Sequence, residues 1–296
     1  MRIRKGGKRT RYQRLAGWGF LTPSIVGVLL FFVAPFFVVA YYSLINNVIQ
    51  KKFVGFDNFA RVLKNNAFRL AALNTLKFSA IAVPLAVVLS LLLAMVLLSR
   101  IPYKSQFRSF FLSPLMVPVA SVVLIWQILF NYNGLVNSIT GTLFHLDKVD
   151  WLKSPHAQVA IIALFLWKNL GYNMILFMAA LSSVPEDLIE VARLEGATEF
   201  QIFRIVKLRY LSSTALFVTI MSLINSFKVF REIYLMTGDY PYDSLYMLQH
   251  FMNNTFQSLD YQRLSSAAII MSAVMIVIIG VLFLAEDRFG RDVDNV

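Results

Sequence analysis

The sequence predicts an all-α polytopic membrane protein of about six transmembrane helices, with its N and C termini on the cytoplasmic side. Three observations carry that expectation. Of the 296 residues 58% are hydrophobic and the mean hydropathy is +0.64, far too apolar for a soluble domain. Apolar stretches at 20–44, 70–98, 110–130, 157–181, 211–230 and 264–284 meet the roughly 20 residues that a helix needs to cross a hydrocarbon core. The loops that face the cytoplasm with the N-terminus inside (1–19, 99–109, 182–210 and 285–296) hold roughly twice the Lys and Arg of the other loops, as the positive-inside bias requires.

The chain opens on a basic arm, residues 1–16, carrying Arg2, Arg4, Lys5, Lys8, Arg9, Arg11 and Arg14. An arm of this kind can begin a signal peptide. The apolar run from Gly17 to Leu44 is too long for the core of such a peptide and offers no small-residue cleavage site, so it is retained as the first span. The net charge of +12 sits beside apolar segments rather than on one soluble module. It therefore reads as orientation against membrane lipid, and no nucleic-acid partner is expected.

Pro23, Pro35, Pro84, Pro114 and Pro118 fall inside predicted spans, where proline kinks a helix that its neighbours can support. The outward loops, around Phe53 to Phe59, Leu143 to Trp151 and Met236 to Pro241, mix aromatics with turn residues and read as structured. Trp126, Trp151, Tyr41 and Tyr42 suit an interfacial aromatic belt. With no internal repeat or low-complexity tract, 1–296 reads as one membrane domain.

The polar interruption at 183–208 stands apart. Ser183 with Glu186 forms a capping-box pattern, and Pro185 and Asp187 suit a first helical turn. Gly196 then stops this helix, and Thr198 with Gln201 restarts one that runs toward Leu208. Leu188 and Ala192, then Phe200, Phe203 and Val206, recur at three- and four-residue spacing, giving each helix one apolar and one charged face. Such a hairpin either docks into a partner's groove or is simply a solvated loop.

The chemistry available to the chain is narrow. There are no cysteines, and His145, His156 and His250 lack metal-ligand spacing, so neither a metal nor thiol chemistry is expected. No Gly-x-x-x-x-Gly-Lys-Ser/Thr loop occurs, so ATP cannot be held in the P-loop manner. No nucleophile, base and orienter set is apparent, and no catalytic residue is expected. What the spans do carry is polar: Asn74, Thr75, Lys77, Gln127, Lys168, Asn169, Tyr172, Asn173, Asn225, Ser226, Lys228, Arg231 and Glu232. Polar groups at membrane depth are expensive. They serve either as hydrogen-bonding glue between helices or as the lining of a cavity for a hydroxylated solute. Lys228 and Arg231 could also snorkel to an outer interface.

The stretch from Glu190-Val191-Ala192 through Gly196 to Val206-Lys207-Leu208-Arg209 resembles the cytoplasmic signature of ABC importer permeases: Glu-Ala-Ala, three residues, Gly, nine residues, then Ile-x-Leu-Pro. Val191, Val206 and Arg209 depart from that pattern. Gly17 to Pro23, Phe53 to Phe59, Trp126 to Phe130 with Gly134 and Asn137, Asp150-Trp151-Leu152, Trp167 to Met174, Ser226 to Phe230 and Met236-Thr237-Gly238 are similar, in order, to the sugar-type permeases of the maltose and glycerol-phosphate importer class.

That resemblance implies a multi-pass subunit of the bacterial cytoplasmic (inner) membrane. Its partners would be a second homologous permease, two ATP-binding cassette subunits that bind ATP and Mg in its place, and an extracytoplasmic solute-binding protein. It places Glu190, Ala192, Glu195, Gly196, Ala197, Phe200 and Phe203 against the ATPase, with Glu190 the acidic contact and Gly196 the turn. The polar inventory of the spans supplies the substrate-pathway candidates Gln127, Asn169, Tyr172, Asn173, Asn225, Lys228 and Arg231, and the resemblance points to a sugar, oligosaccharide or polyol as the solute. Lys228 and Arg231 raise the alternative of an acidic saccharide or phosphorylated polyol. Other classes are a secondary carrier, which should show inverted repeats and a buried coupling carboxylate, and a membrane anchor that recruits an enzyme.

Overall fold

A computed structural model describes the backbone of residues 11–99 and 101–290 and the side chains from 18 to 288, residue 100 excepted. Of the basic arm expected at 1–16, residues 1–10 lie outside the described residues. The architecture is helical, and among the described residues the one extended pairing is an isolated bridge between Ile45 and Phe53. The chain divides into two compact units, 1–62 with 259–272 and 63–258 with 273–296.

In the first unit α1 (Arg11–Val28), a π-helical stretch (Leu29–Val33) and α2 (Ala34–Ser43) follow one another without a break, giving the continuous span Trp18–Ser43. Pro35 has no N–H to offer the carbonyl of the preceding turn, and a widened π turn is one way a helix absorbs that loss. After the span the chain folds over itself: Asn58, in α3 (Asp57–Lys64), donates its amide to the carbonyls of Ser43 (3.0 Å) and Ile45 (2.8 Å). The aromatic loop expected around Phe53 to Phe59 is thus ordered by one buried amide.

The second unit is built on α4 (Asn66–Leu98) and α8 (Ala157–Ser182), which pack along each other. Asn65 caps α4, accepting from the N–H of Phe68 at 3.1 Å. Alanines at 82, 86, 94, 157 and 160 are all but fully buried, and small side chains let membrane helices approach closely. Around them lie two apolar clusters. One joins Phe78, Leu164, Phe165 and Ile233. The other joins Leu97, Met174, Phe177, Leu211 and Val218.

Between these helices the unit adds α5 (Lys104–Leu112), a 3₁₀ turn (Ser113–Met116), α6 (Val119–Leu129) and α7 (Leu135–Phe144). The span expected at 110–130 is not straight: its two halves meet at 104°. Pro114 sits in the 3₁₀ turn and Pro118 caps α6, while Val117 between them is extended. The residue before a proline is driven out of the α region, so the helix must end there. Among the described residues, five continuous helices, or six counting this bent pair, are long and apolar enough to cross a membrane.

The remaining elements are α9 (Glu186–Leu194), α10 (Glu199–Ile202), a π stretch (Phe203–Lys207), α11 (Leu208–Tyr210), α12 (Ser212–Lys228), α13 (Phe230–Thr237), α14 (Leu248–Gln257) and α15 (Tyr261–Gly290). Residues of α15 up to Ser272 belong to the first unit and those from Ala273 to the second. α14 is anchored on α4. The Asn74 amide donates to the carbonyls of Asp243 (2.6 Å) and Tyr246 (3.1 Å), and the Thr75 hydroxyl accepts the spare N–H of Leu248 at 2.8 Å. Farther along α4, the hydroxyls of Ser79 and Ser226 meet at 2.8 Å. These bonds let polar residues lie among apolar helices with their groups satisfied.

Candidate functional site

Two places concentrate the residues that the sequence singles out. The first is the hairpin. α9 ends where Gly196 adopts φ +84°, and the N–H groups of Gly196 and Ala197 bond the carbonyls of Arg193 (3.0 Å) and Ala192 (2.9 Å). That is the double closure of a Schellman motif, and it needs a residue free to enter the left-handed region. α10 then starts on the expected capping box, with the Thr198 N–H bonded to Gln201 Oε1 at 2.8 Å and the Gln201 N–H to Thr198 Oγ1 at 3.4 Å. An exposed pair, Arg193 to Glu199 at 2.8 Å, crosses the turn.

The capping box expected from Ser183 and Glu186 does not form. Pro185 is the N-cap of α9 and supplies no side-chain acceptor. Ser183 still closes the last turn of α8 through its N–H, and its hydroxyl donates to the carbonyl of Ala180 at 2.8 Å. The helix before it claims the serine first.

Glu190, Glu195, Gly196 and Phe200 are exposed, with Ala192 and Ala197 half-buried. Glu190 makes no ion pair among the described residues. The most exposed of the hairpin's large apolar groups are Leu194 (88% exposed) and Phe200 (72%). Leu194 escaped the sequence reading because it sits between Arg193 and Glu195; its signal is an apolar residue two positions before the capping glycine, with nothing to pack on. Phe203 turns the other way, onto the cluster of Met174, Phe177 and Leu211, and Ile202 is buried beside it in the chain. The hairpin is therefore rooted in the helical body while its tip is bare.

The second place is a cavity of about 580 Å³ whose polar wall is Lys168 and Asn169 of α8, Asn225 and Lys228 of α12, Arg231 and Glu232 of α13, and Gln249 of α14. Glu232 is buried and accepts from the ammonium of Lys168. Asn169 donates to the carbonyl of Phe165 at 2.8 Å and accepts from the Asn225 amide at 2.8 Å. Lys228 and Arg231 are exposed and have no carboxylate within 4.0 Å among the described residues.

Four of the seven pathway residues named from the sequence thus meet in one wall. The other three do not. Gln127 donates to the carbonyl of Met236 at 3.0 Å and borders a separate hollow of about 440 Å³. Tyr172 is exposed on α8, and Asn173 is buried with its amide on Ser222 Oγ at 2.9 Å. Lys168 and Glu232 were legible as costly charges within apolar stretches, but sequence alone does not pair residues 64 positions apart. Trp126 and Trp151, expected in an interfacial belt, are engaged internally: Trp126 stacks on Phe130, and the Trp151 indole donates to Asn137 at 2.9 Å.

Comparison with known proteins identifies the family. The family model described as a binding-protein-dependent transport system inner membrane component matches residues 86–295. The trehalose/maltose transport system permease protein MalF of Thermococcus litoralis is 30% identical over 281 residues, 93% of this chain and 95% of that protein. The lactose transport system permease protein LacF of Rhizobium radiobacter is 28% identical, covering 95% and 96%. Among solved structures, a bacterial ABC transporter involved in the import of the acidic polysaccharide alginate has a chain of the same fold, with a TM-score of 0.78 over 94% of this chain and 96% of that one, at 20% identity. The chain belongs to the binding-protein-dependent transport system inner membrane components, the family of ABC importer permease subunits.

Proposed function

We propose that the chain is one permease of an ATP-driven importer for a sugar, oligosaccharide or related polyol. A second, homologous permease completes the pathway, two ATP-binding cassette subunits carrying ATP and Mg power it, and an extracytoplasmic binding protein delivers the solute. The termini and the hairpin face the cytoplasm. The observation that carries the reading is the hairpin itself: a tip holding Glu190, Leu194 and Phe200 exposed, on a base that Ile202 and Phe203 fasten to the helical core. A lever of that kind transmits closure of a partner ATPase to the spans, biasing a body with inward- and outward-open states. Supporting the sugar class are relatives named for trehalose/maltose and lactose transport. A solved neighbour in complex with a pentasaccharide-bound periplasmic protein supports the binding-protein partner.

The test is solute-stimulated ATP hydrolysis by the reconstituted complex, wild type against Glu190→Lys. The expected result is that one loaded binding protein stimulates hydrolysis and that the charge reversal removes the stimulation. Full stimulation and full assembly in Glu190→Lys would move the coupling contact onto Leu194 and Phe200. No stimulation by any saccharide or polyol would reject the substrate class.

A further inference from the structure

We propose that the cavity wall selects an oxyanion, so that the solute is a saccharide or polyol bearing carboxylate or phosphate. This rests on the reading that the cavity lies on the solute's path. Three cations and one carboxylate line the cavity, and Glu232 is committed to Lys168. Through the five continuous spans the only other acidic residues are Glu286 and Asp287, at the far end of the last one. Lys228 and Arg231 therefore leave the wall with two positive charges that no side chain in it offsets.

Unpaired charge among apolar helices is costly, and such charges are retained where they face a pathway or a partner. The geometry suits an anion. Lys228 ends α12 and Arg231 lies in the first turn of α13, with Val229 between them in helical conformation; residues three apart on one continuous helical stretch share a face, so both line the same wall. Arginine grips a carboxylate or phosphate through two parallel hydrogen bonds, and a lysine beside it adds a point charge. The linked amides of Asn169 and Asn225 lie in the same wall and are suited to solute hydroxyls. A neutral saccharide would use the amides and leave both cations unpaired.

Uptake into vesicles is compared for trigalacturonate, glycerol 3-phosphate and the neutral maltotriose, using the complete importer with loaded binding protein at saturation. Because the binding protein is the same in every arm, a change caused by a permease variant belongs to the permease. The expected result is uptake of one anionic probe, trigalacturonate identifying a carboxylate and glycerol 3-phosphate a phosphate. In the assembled Lys228→Gln/Arg231→Gln variant that uptake falls by about tenfold or more, and Arg231→Lys restores part of it. Uptake of maltotriose alone overturns the inference and leaves sugar import standing. Anion uptake undiminished in the assembled double variant overturns the site. Uptake of none of the three by an assembled complex that still hydrolyses ATP overturns both this inference and the reading beneath it.

Discussion

Gly171 of α8 lies against the carbonyl of Phe111 in α5 so closely that a β-carbon at 171 would fall 1.9 Å from that oxygen. The obstacle is backbone, with no flexible side-chain end to swing aside. The two helices touch here because one of them has nothing to put between them. Gly171→Ala should force them apart and cost about 2–4 kcal/mol, read as a fall in the thermal unfolding midpoint of the purified complex. An unchanged midpoint would mean that this approach does not occur. Gly196→Ala, at a site with open space and φ +84°, should cost only about 1 kcal/mol, the strain of the left-handed conformation.

That contrast marks what a sequence can disclose. Gly196 was readable because its cause is local: a helix ends, a capping threonine follows, and only a few residues take the intervening conformation. Gly171 looked like any glycine in an apolar helix, since its cause is another helix 60 positions earlier. The spans were legible from hydropathy, yet the bend at 110–130 needed the two prolines to be read as a stop rather than a kink. In the cavity, the cost of polar groups inside apolar stretches singled out the polar residues, but the pairing of Lys168 with Glu232 and the diversion of Asn173 to Ser222 are products of helix packing.

The segment 131–156 contains a comparable single-residue dependence. Asn137 donates to the carbonyls of Tyr132 (2.9 Å) and Val149 (2.7 Å), and it accepts from the Val149 N–H (3.2 Å) and the Trp151 indole (2.9 Å). It is buried, so its removal strands partners on both sides. Asn137→Ala should cost about 2–4 kcal/mol, and Asn137→Asp, which keeps the acceptor and loses the donor, should recover only part. Proteolysis within residues 131–156 gives the readout; equal resistance in Asn137→Ala and wild type would remove the claim.

Leu194 separates stability from coupling. It is 88% exposed at the hairpin tip, so Leu194→Asp removes almost no internal contact and should change the unfolding free energy of the isolated permease by about 0.5 kcal/mol or less. If the tip enters an ATPase cleft, the same change buries a charge there and should weaken association of the ATPase subunit by about tenfold or more. Titration of the ATPase subunit onto permease-containing vesicles checks this. Unaltered affinity would place the tip outside the interface.

His250 sets a pH dependence outside the spans. Its ring is fully buried among Phe230 and Tyr246, with Nδ1 accepting the N–H of Met247 at 3.2 Å. Burial holds its pKa down at about 4 against the ordinary 6.5, with nearby Asp239 opposing the shift. The unfolded chain therefore binds this proton below about pH 6.5 while the folded chain refuses it until about pH 4. The stabilisation is fully present above pH 6.5, falls as pH drops through that window, and is gone below it. Wild type should lose stability between pH 6.5 and 4 more steeply than His250→Gln. Parallel pH profiles would show that the ring is not held neutral.

Lys168 and Glu232 support the last prediction, a double-mutant cycle. A buried ion pair repays desolvation only while both members are present, so removing one leaves a charge stranded among apolar neighbours. Lys168→Met alone abandons the Glu232 carboxylate beside Phe165 and Val229 in the cavity wall and should cost about 3–5 kcal/mol. Glu232→Leu alone strands the half-buried ammonium and should cost somewhat less, because Lys168 reaches the open cavity. The pair Lys168→Met with Glu232→Leu removes both charges at similar volume and should be more stable than either single variant, with a coupling of about 2 kcal/mol or more. Unfolding midpoints of the four purified complexes close the cycle. Additive costs would mean that the two side chains do not sense each other, and α8 and α13 would then be joined by apolar packing alone.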